Sequence, residues 1–249
     1  MRFEGQKVVI TGSARGIGFA TATKLAEEGA TVAIVDQHAA NAEDAATRLR
    51  ANGHAAHAFA FDVALQENVQ DGFRAINQQF GKIDALINAA AIFPPAAFEE
   101  LGIEQWKRTL DVNLSGTFLC CQAVYSLMKE AGYGRIVNIA TNGVDLGLPG
   151  MAAYVASKAG VIGLTRVIAS EGGTHGITAN VVAPGLIITE AVHSLPNGLE
   201  EAERVIPLQA IKRSGQPGDI AEAIAYLSSP AAGFITGQTV TINGGMTFK

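Results

Sequence analysis

What most constrains this chain is an alternation. Short apolar runs at 7–11, 31–36, 55–63, 83–91, 134–141, 177–185 and 238–244 are separated by stretches of helical spacing at 16–29, 41–53, 66–81, 104–130, from Tyr154 to about Gly172, and 218–229. Apolar strands alternating with helices argue for βαβ units, because a parallel strand must be reached by a crossover that covers the sheet face. The pattern predicts an α/β fold with helices on both faces of a parallel sheet. Residues 1–249 read as one domain, with no repeat or linker. The regular alternation lapses at about 186–216, where Pro196, Pro207 and several charges interrupt it. That stretch reads as a substrate loop.

Composition removes several classes of function. Charged residues are 16% of the chain, the net charge is -5, and no basic run occurs. Average proteins carry about 25% charged residues. The low charge fraction implies much buried surface and tilts the reading toward a homo-oligomer. The acidic balance excludes nucleic acid as a partner. The N-terminal "MRFEGQK" has no apolar signal core, and no apolar run of about 18 residues is found. The reading is therefore no membrane span and a cytoplasmic location. Cys120 and Cys121 are the only cysteines. As neighbours they read as small buried helix residues, not as a disulfide or a metal site. His38, His54, His57, His175 and His193 have no ligand spacing, so no metal is expected. His193 lies in the loop and is a candidate substrate contact.

The first apolar run ends in "TGSARGIG" (11–18), directly before a helix. Gly12, Gly16 and Gly18 let the backbone approach a pyrophosphate, with Ser13, Arg15 and Ile17 in the same turn. Unpaired N–H groups of the helix start would point at the anion. Asp36 ends the second strand, 18 residues beyond Gly18. A carboxylate there suits a ribose 2′-hydroxyl and repels a 2′-phosphate, which favours NAD over NADP. Arg15 pulls the other way. Asp36 is weighed more heavily because the next residue, Gln37, brings no cation.

"MAAYVASK" (151–158) places Tyr154 and Lys158 four residues apart, on one helix face. Together with the glycine turn, this pair resembles the short-chain dehydrogenase/reductase family over essentially the whole chain. "NAAA" (88–91), "DVNLSGTF" (111–118), "PGLIIT" (184–189) and "FITGQTVTINGG" (234–245) resemble its other segments. The resemblance implies a single Rossmann-like, doubly wound domain, with seven strands in the order 3-2-1-4-5-6-7, and a tetramer or dimer. It implies that Asn113 is catalytic and that Asp62 and Val63 lie beside the adenine. It places Asn88, Ala89 and Ala90 along the cofactor, and Pro184, Gly185, Ile187 and Thr189 at the nicotinamide carboxamide. The family's catalytic serine stands thirteen residues before the tyrosine; here that position is Thr141. Its hydroxyl remains, while its methyl and stiffer χ1 would narrow the pocket.

These readings assign a chemistry to the tyrosine. A phenol ionises near pH 10, and a general acid/base works best near the operating pH. Closing that gap takes roughly 4 kcal/mol of preference for phenolate, toward which a neighbouring ammonium contributes. Tyr154 is expected to carry the proton, Lys158 to lower its pKa and bind the nicotinamide ribose, and Thr141 to position the substrate oxygen. Asn113 would hold a water linking Lys158 to solvent. Phe93, Val144, Leu146, Leu148 and Met151, with an initially apolar 186–216 loop, suggest a small, mostly apolar secondary alcohol or ketone, cyclic and aromatic ones included. The region from Met151 to about Gly215 is similar to short-chain enzymes oxidising pyridoxal or 1-phenylethanol-type alcohols. Three alternatives stand beside this: an NADPH-dependent 3-ketoacyl-carrier-protein reductase, a non-catalytic NAD(H)-sensing regulator, and a structural oligomer with a vestigial site.

Overall fold

Successive β-branched and apolar residues have to bury both faces of each strand, and the topology does this. In this computed structural model, which describes residues 1–194 and 198–248 apart from the Glu201 side chain, seven strands make one sheet. They are β1 (Lys7–Thr11), β2 (Thr31–Asp36), β3 (Ala56–Ala60), β4 (Ala85–Asn88), β5 (Gly134–Ile139), β6 (Ile177–Pro184) and β7 (Thr239–Ile242). All neighbours are parallel, in the order β3-β2-β1-β4-β5-β6-β7, as expected.

Alternate residues of one strand feed two cores. Val8 and Ile10 of β1 pack with α1 (Gly16–Glu27), α2 (Ala39–Ala51) and, near the end of the chain, α10 (Pro217–Leu227). Val9 packs on the opposite face with α3 (Gln66–Phe80), α5 (Gly116–Ala131) and α7 (Ala152–Gly172). On α3 the buried residues are Val69, Phe73 and Ile76, the spacing of a one-sided helix. Cys120 and Cys121 are free and fully inside the second core, as expected, and burial pushes both thiols well up.

Chain order reverses between β1 and β4. Crevices at the carboxyl ends of such strands are where open α/β sheets bind ligands. Pairings of Thr11 with Val35 and with Asn88, and of Asn88 with Asn138, end these strands level.

Three features depart from the sequence expectation. The helix expected over 104–130 is α4 (Ile103–Leu110), one wide π-helical turn at Asp111–Ser115, and then α5. Within 186–216, expected to be irregular, lie α8 (Glu190–His193), α9 (Gly198–Val205) and a tight 3₁₀ turn at Ile206–Leu208 containing Pro207. Pro196 lies outside the described residues. Between β5 and Tyr154 lies a further four-residue helix, α6 (Gly143–Leu146). Lastly, one helical stretch, Ala152–His175, is by length and composition apolar enough to cross a membrane, contrary to the sequence reading. It packs one face on β6 and buries Lys158, so part of its apolar character belongs to a layer of the fold.

Candidate active site

A cleft of about 490 Å³ opens along the carboxyl ends of the strands. Its floor begins at the glycine turn. Gly12 has φ +63°, and a Cβ there would lie 2.6 Å from Ala90 Cα. A Cβ on Gly18 would lie 2.4 Å from the Gly12 carbonyl oxygen. No side chain fits at either place: at Gly12 the β1–α1 turn touches the backbone that follows β4, and at Gly18 it folds closely on itself. Thr11 Oγ1 holds them there by accepting from Ala89 N–H at 3.2 Å and Ala90 N–H at 3.3 Å. Gly12, Arg15, Gly16, Ile17 and Gly18 line the cleft, with the start of α1 facing it. This narrow, amide-rich turn fits a pyrophosphate. Ser13 is turned inward instead: its hydroxyl donates to the Ile10 carbonyl at 2.7 Å and accepts from Val35 N–H at 3.1 Å.

At one end of the cleft stands Asp36, whose Oδ1 accepts from the His38 N–H at 3.0 Å. One carboxylate oxygen is thereby fixed. Asp62, Val63, Ala89, Ala90 and Thr189 also line the cleft, as the resemblance implies. The sequence reading missed Gln37, His38, Asn41, Arg108 and Glu190, which join them there. For residues 37–41 a signal existed, since α2 starts directly after Asp36. For Arg108 it did not: its guanidinium meets Asp62 Oδ2 at 3.1 Å across 46 positions of sequence.

The other end holds the catalytic candidates. Tyr154 and Lys158 both line it, as does Phe93, whose ring stands edge-on to Tyr154 with centroids 5.9 Å apart. Thr141 lies within hydrogen-bonding reach of the phenol. Its Oγ1 accepts from Gly143 N–H at 3.1 Å, which fixes the oxygen and leaves the hydroxyl proton to donate. Lys158 is buried, and its Nζ donates to the Ile139 carbonyl at 2.7 Å.

The electrostatics differ from expectation here. The sequence reading has Lys158 pulling the phenol down. Among the protein's own groups burial wins: it holds Tyr154 above its ordinary value, against a smaller lowering by Thr141. Burial also pushes Lys158 down to about 8. The amine is aimed at Ile139, 5.9 Å from the tyrosine ring centroid, so it is poorly placed to offset the phenol's lost hydration.

Asn113 stands in the π-helical turn, fully buried. Its amide is committed on every side: Oδ1 accepts from Ile92 N–H at 2.8 Å, and Nδ2 donates to Ile92 O at 2.8 Å and to Ser157 Oγ at 3.1 Å. The side chain implied to hold a water is thus turned to protein partners, and the Asn113 carbonyl accepts from Thr117 Oγ1 at 2.8 Å. Asn88 is also turned inward, donating to Asn138 Oδ1 at 2.8 Å. Pro184 and Gly185 lie behind the cleft wall, bonded through the backbone to Asn142 and Ile242. The Ile187 side chain lines a separate cavity of about 230 Å³. His193 lies on α8, and no cluster of three metal-binding side chains occurs among the described residues.

A buried phenol and a buried amine at one end of a cleft that begins at a glycine turn, with a threonine hydroxyl beside them, suit proton transfer coupled to hydride transfer. Known proteins agree in kind. A family model described as Enoyl-(Acyl carrier protein) reductase matches residues 12–247. D-threitol dehydrogenase of Mycolicibacterium smegmatis is 41% identical over 251 residues, which span 100% of this chain and 95% of that one. A 3-oxoacyl-[acyl-carrier-protein] reductase of Synechocystis is 39% identical, over 97% of this chain and 96% of that one. The crystal structure of gox2181 superposes with a TM-score of 0.94 at 37% identity, covering 98% of this chain and 96% of that one. A putative gluconate dehydrogenase from Agrobacterium tumefaciens superposes at 0.92 and 32% identity, with the same coverage.

Proposed function

The chain belongs to the short-chain dehydrogenase/reductase family, and on that premise we propose that it interconverts a small, mostly apolar secondary alcohol and its ketone with NAD(H). The observation that carries this reading is the convergence of Tyr154, Lys158 and Phe93 at one end of the cleft whose other end is the Asp36 carboxylate.

Gly12, the 15–18 turn and Thr189 would hold the dinucleotide, and Asp36 the adenosine ribose. When bound, the nicotinamide supplies the hydride acceptor and, in its oxidised form, a positive charge. In oxidation, Tyr154 as phenolate takes the hydroxyl proton of the alcohol. Thr141 donates its free O–H to the substrate oxygen, which the Gly143 N–H keeps aimed. Lys158 would bind the nicotinamide ribose. In reduction Tyr154 returns the proton to the ketone oxygen. Phe93 gives this end an apolar wall that suits small apolar substrates.

A second reading, an NADPH-dependent 3-ketoacyl-carrier-protein reductase, is favoured by Arg15, which lines the cleft, and by the reductases among the relatives. Titration with NADH and, separately, NADPH, followed by nicotinamide fluorescence, separates the two. NADH should bind at least about tenfold tighter, and Asp36→Ala should erase the difference. Tighter NADPH binding by the wild type would refute the NAD reading and favour the reductase. Binding of neither would refute both.

We propose a homotetramer or homodimer in the cytoplasm. Helix α7 supports the oligomer: it is strongly apolar, yet only 33% of its most apolar window is buried within one chain.

A further inference from the structure

We propose that Ser157 is a positioning residue, the link that fixes the loop after β4 against the proton-carrying tyrosine. Ser157 is fully buried one turn into α7. Its proton count admits one arrangement. The hydroxyl donates its single proton to the Tyr154 carbonyl oxygen at 2.6 Å. Its oxygen then accepts one Nδ2 proton of Asn113, at 3.1 Å. Asn113 uses its other Nδ2 proton and its Oδ1 to grip both backbone groups of Ile92. Ile92 precedes Phe93, and the Phe93 ring stands edge-on to the Tyr154 ring.

The contacts close a ring. From Tyr154 it runs through its own carbonyl to Ser157, to Asn113, to Ile92, to Phe93, and back to the Tyr154 phenyl group. No member has a spare donor to reverse the direction of the chain. Two segments 61 positions apart, at 93 and 154, are thereby set against each other. The wide turn at Asp111–Ser115 brings the Asn113 amide between them.

Burial is the largest influence on the Tyr154 phenol, and Phe93 of this loop packs edge-on against its ring. Loosening Ser157 should therefore let water reach the ring while leaving the dinucleotide end of the cleft untouched. The inference rests on Tyr154 being the proton carrier, and the test keeps the two apart. Ser157→Cys retains the shape but weakens both bonds, Ser157→Ala removes them, and Ser157→Thr restores the hydroxyl.

Spectrophotometric titration of each variant, differenced against the same variant carrying Tyr154→Phe, isolates one phenol among the four tyrosines. Ser157→Cys and Ser157→Ala should lower its midpoint by roughly half a pH unit or more, toward the ordinary phenol value. They should slow saturated oxidation of 1-phenylethanol with NAD about tenfold, leave NADH binding unchanged, and be rescued by Ser157→Thr. A wild-type midpoint in Ser157→Cys would overturn the proposal, whatever the alanine variant does. Full activity in Tyr154→Phe would overturn instead the functional reading beneath it.

Discussion

Replacing Lys158 by methionine should make the protein more stable and nearly inactive. The amine is almost wholly buried, and its ionisation falls from an ordinary 10.5 to about 8. That drop means the folded chain disfavours the ammonium by roughly 3 kcal/mol. The penalty is complete below about pH 8, where Lys158 is charged in both states. It shrinks as pH rises toward 10.5, because the folded chain has already released a proton that the unfolded chain still holds. Methionine matches the unbranched stem without the charge. It forfeits the bond to the Ile139 carbonyl, which costs about 1 kcal/mol. The net gain near pH 7 is roughly 2 kcal/mol, or about 4–8 °C in Tm for a chain of this size. By about pH 10 the penalty has fallen below about 1 kcal/mol, and the two proteins should melt together. The check is denaturant and thermal unfolding of both proteins at each pH, read as a difference so that other titrations cancel. Alcohol oxidation should meanwhile fall by about 10²-fold or more. A variant less stable than wild type at neutral pH, with a gap that does not change with pH, would refute the reasoning. It would mean that the amine acts as a hydrogen-bonded strut and is not a buried charge kept for function.

The other expectations concern steric fit and hydrogen bonding. Thr141→Ala should lower kcat about 10²-fold with little change in NADH affinity, since it removes one donor to the substrate oxygen. Thr141→Ser should keep turnover within a few-fold and admit bulkier ketones; a panel of aryl ketones tests this, and unchanged selectivity would dismiss the methyl as a filter. Gly18→Ala puts a carbon 2.4 Å from the Gly12 carbonyl, so it should cost about 1–3 kcal/mol and weaken NADH binding sharply. Melting and fluorescence titration together read this, and wild-type behaviour in both would show that the glycine turn can open at this point without consequence.

Much of this protein is written locally. The alternation of apolar runs predicts the strands, because a strand covered on both faces has no polar side to show. The step from "KVVIT" into a glycine turn and helix marks the phosphate site, and Tyr154 with Lys158 is legible as a pair because helical spacing is a short-range property. Asp36 then follows from its place at a strand end, whereas Asp62, Val63 and Thr189 are legible only through the family resemblance. Other facts exist only when distant segments meet. Arg108 reaches Asp62, Asn113 takes hold of both Ile92 and Ser157, and Phe93 meets Tyr154, each across tens of residues. The same holds for Ser13 and Asn88, which read as cofactor contacts but are drawn inward by buried backbone and amide partners. The balance of charge at the site is of this kind too. Sequence places an ammonium near a phenol, but how far burial raises one and lowers the other depends on the water the folded chain excludes, and that is decided by packing.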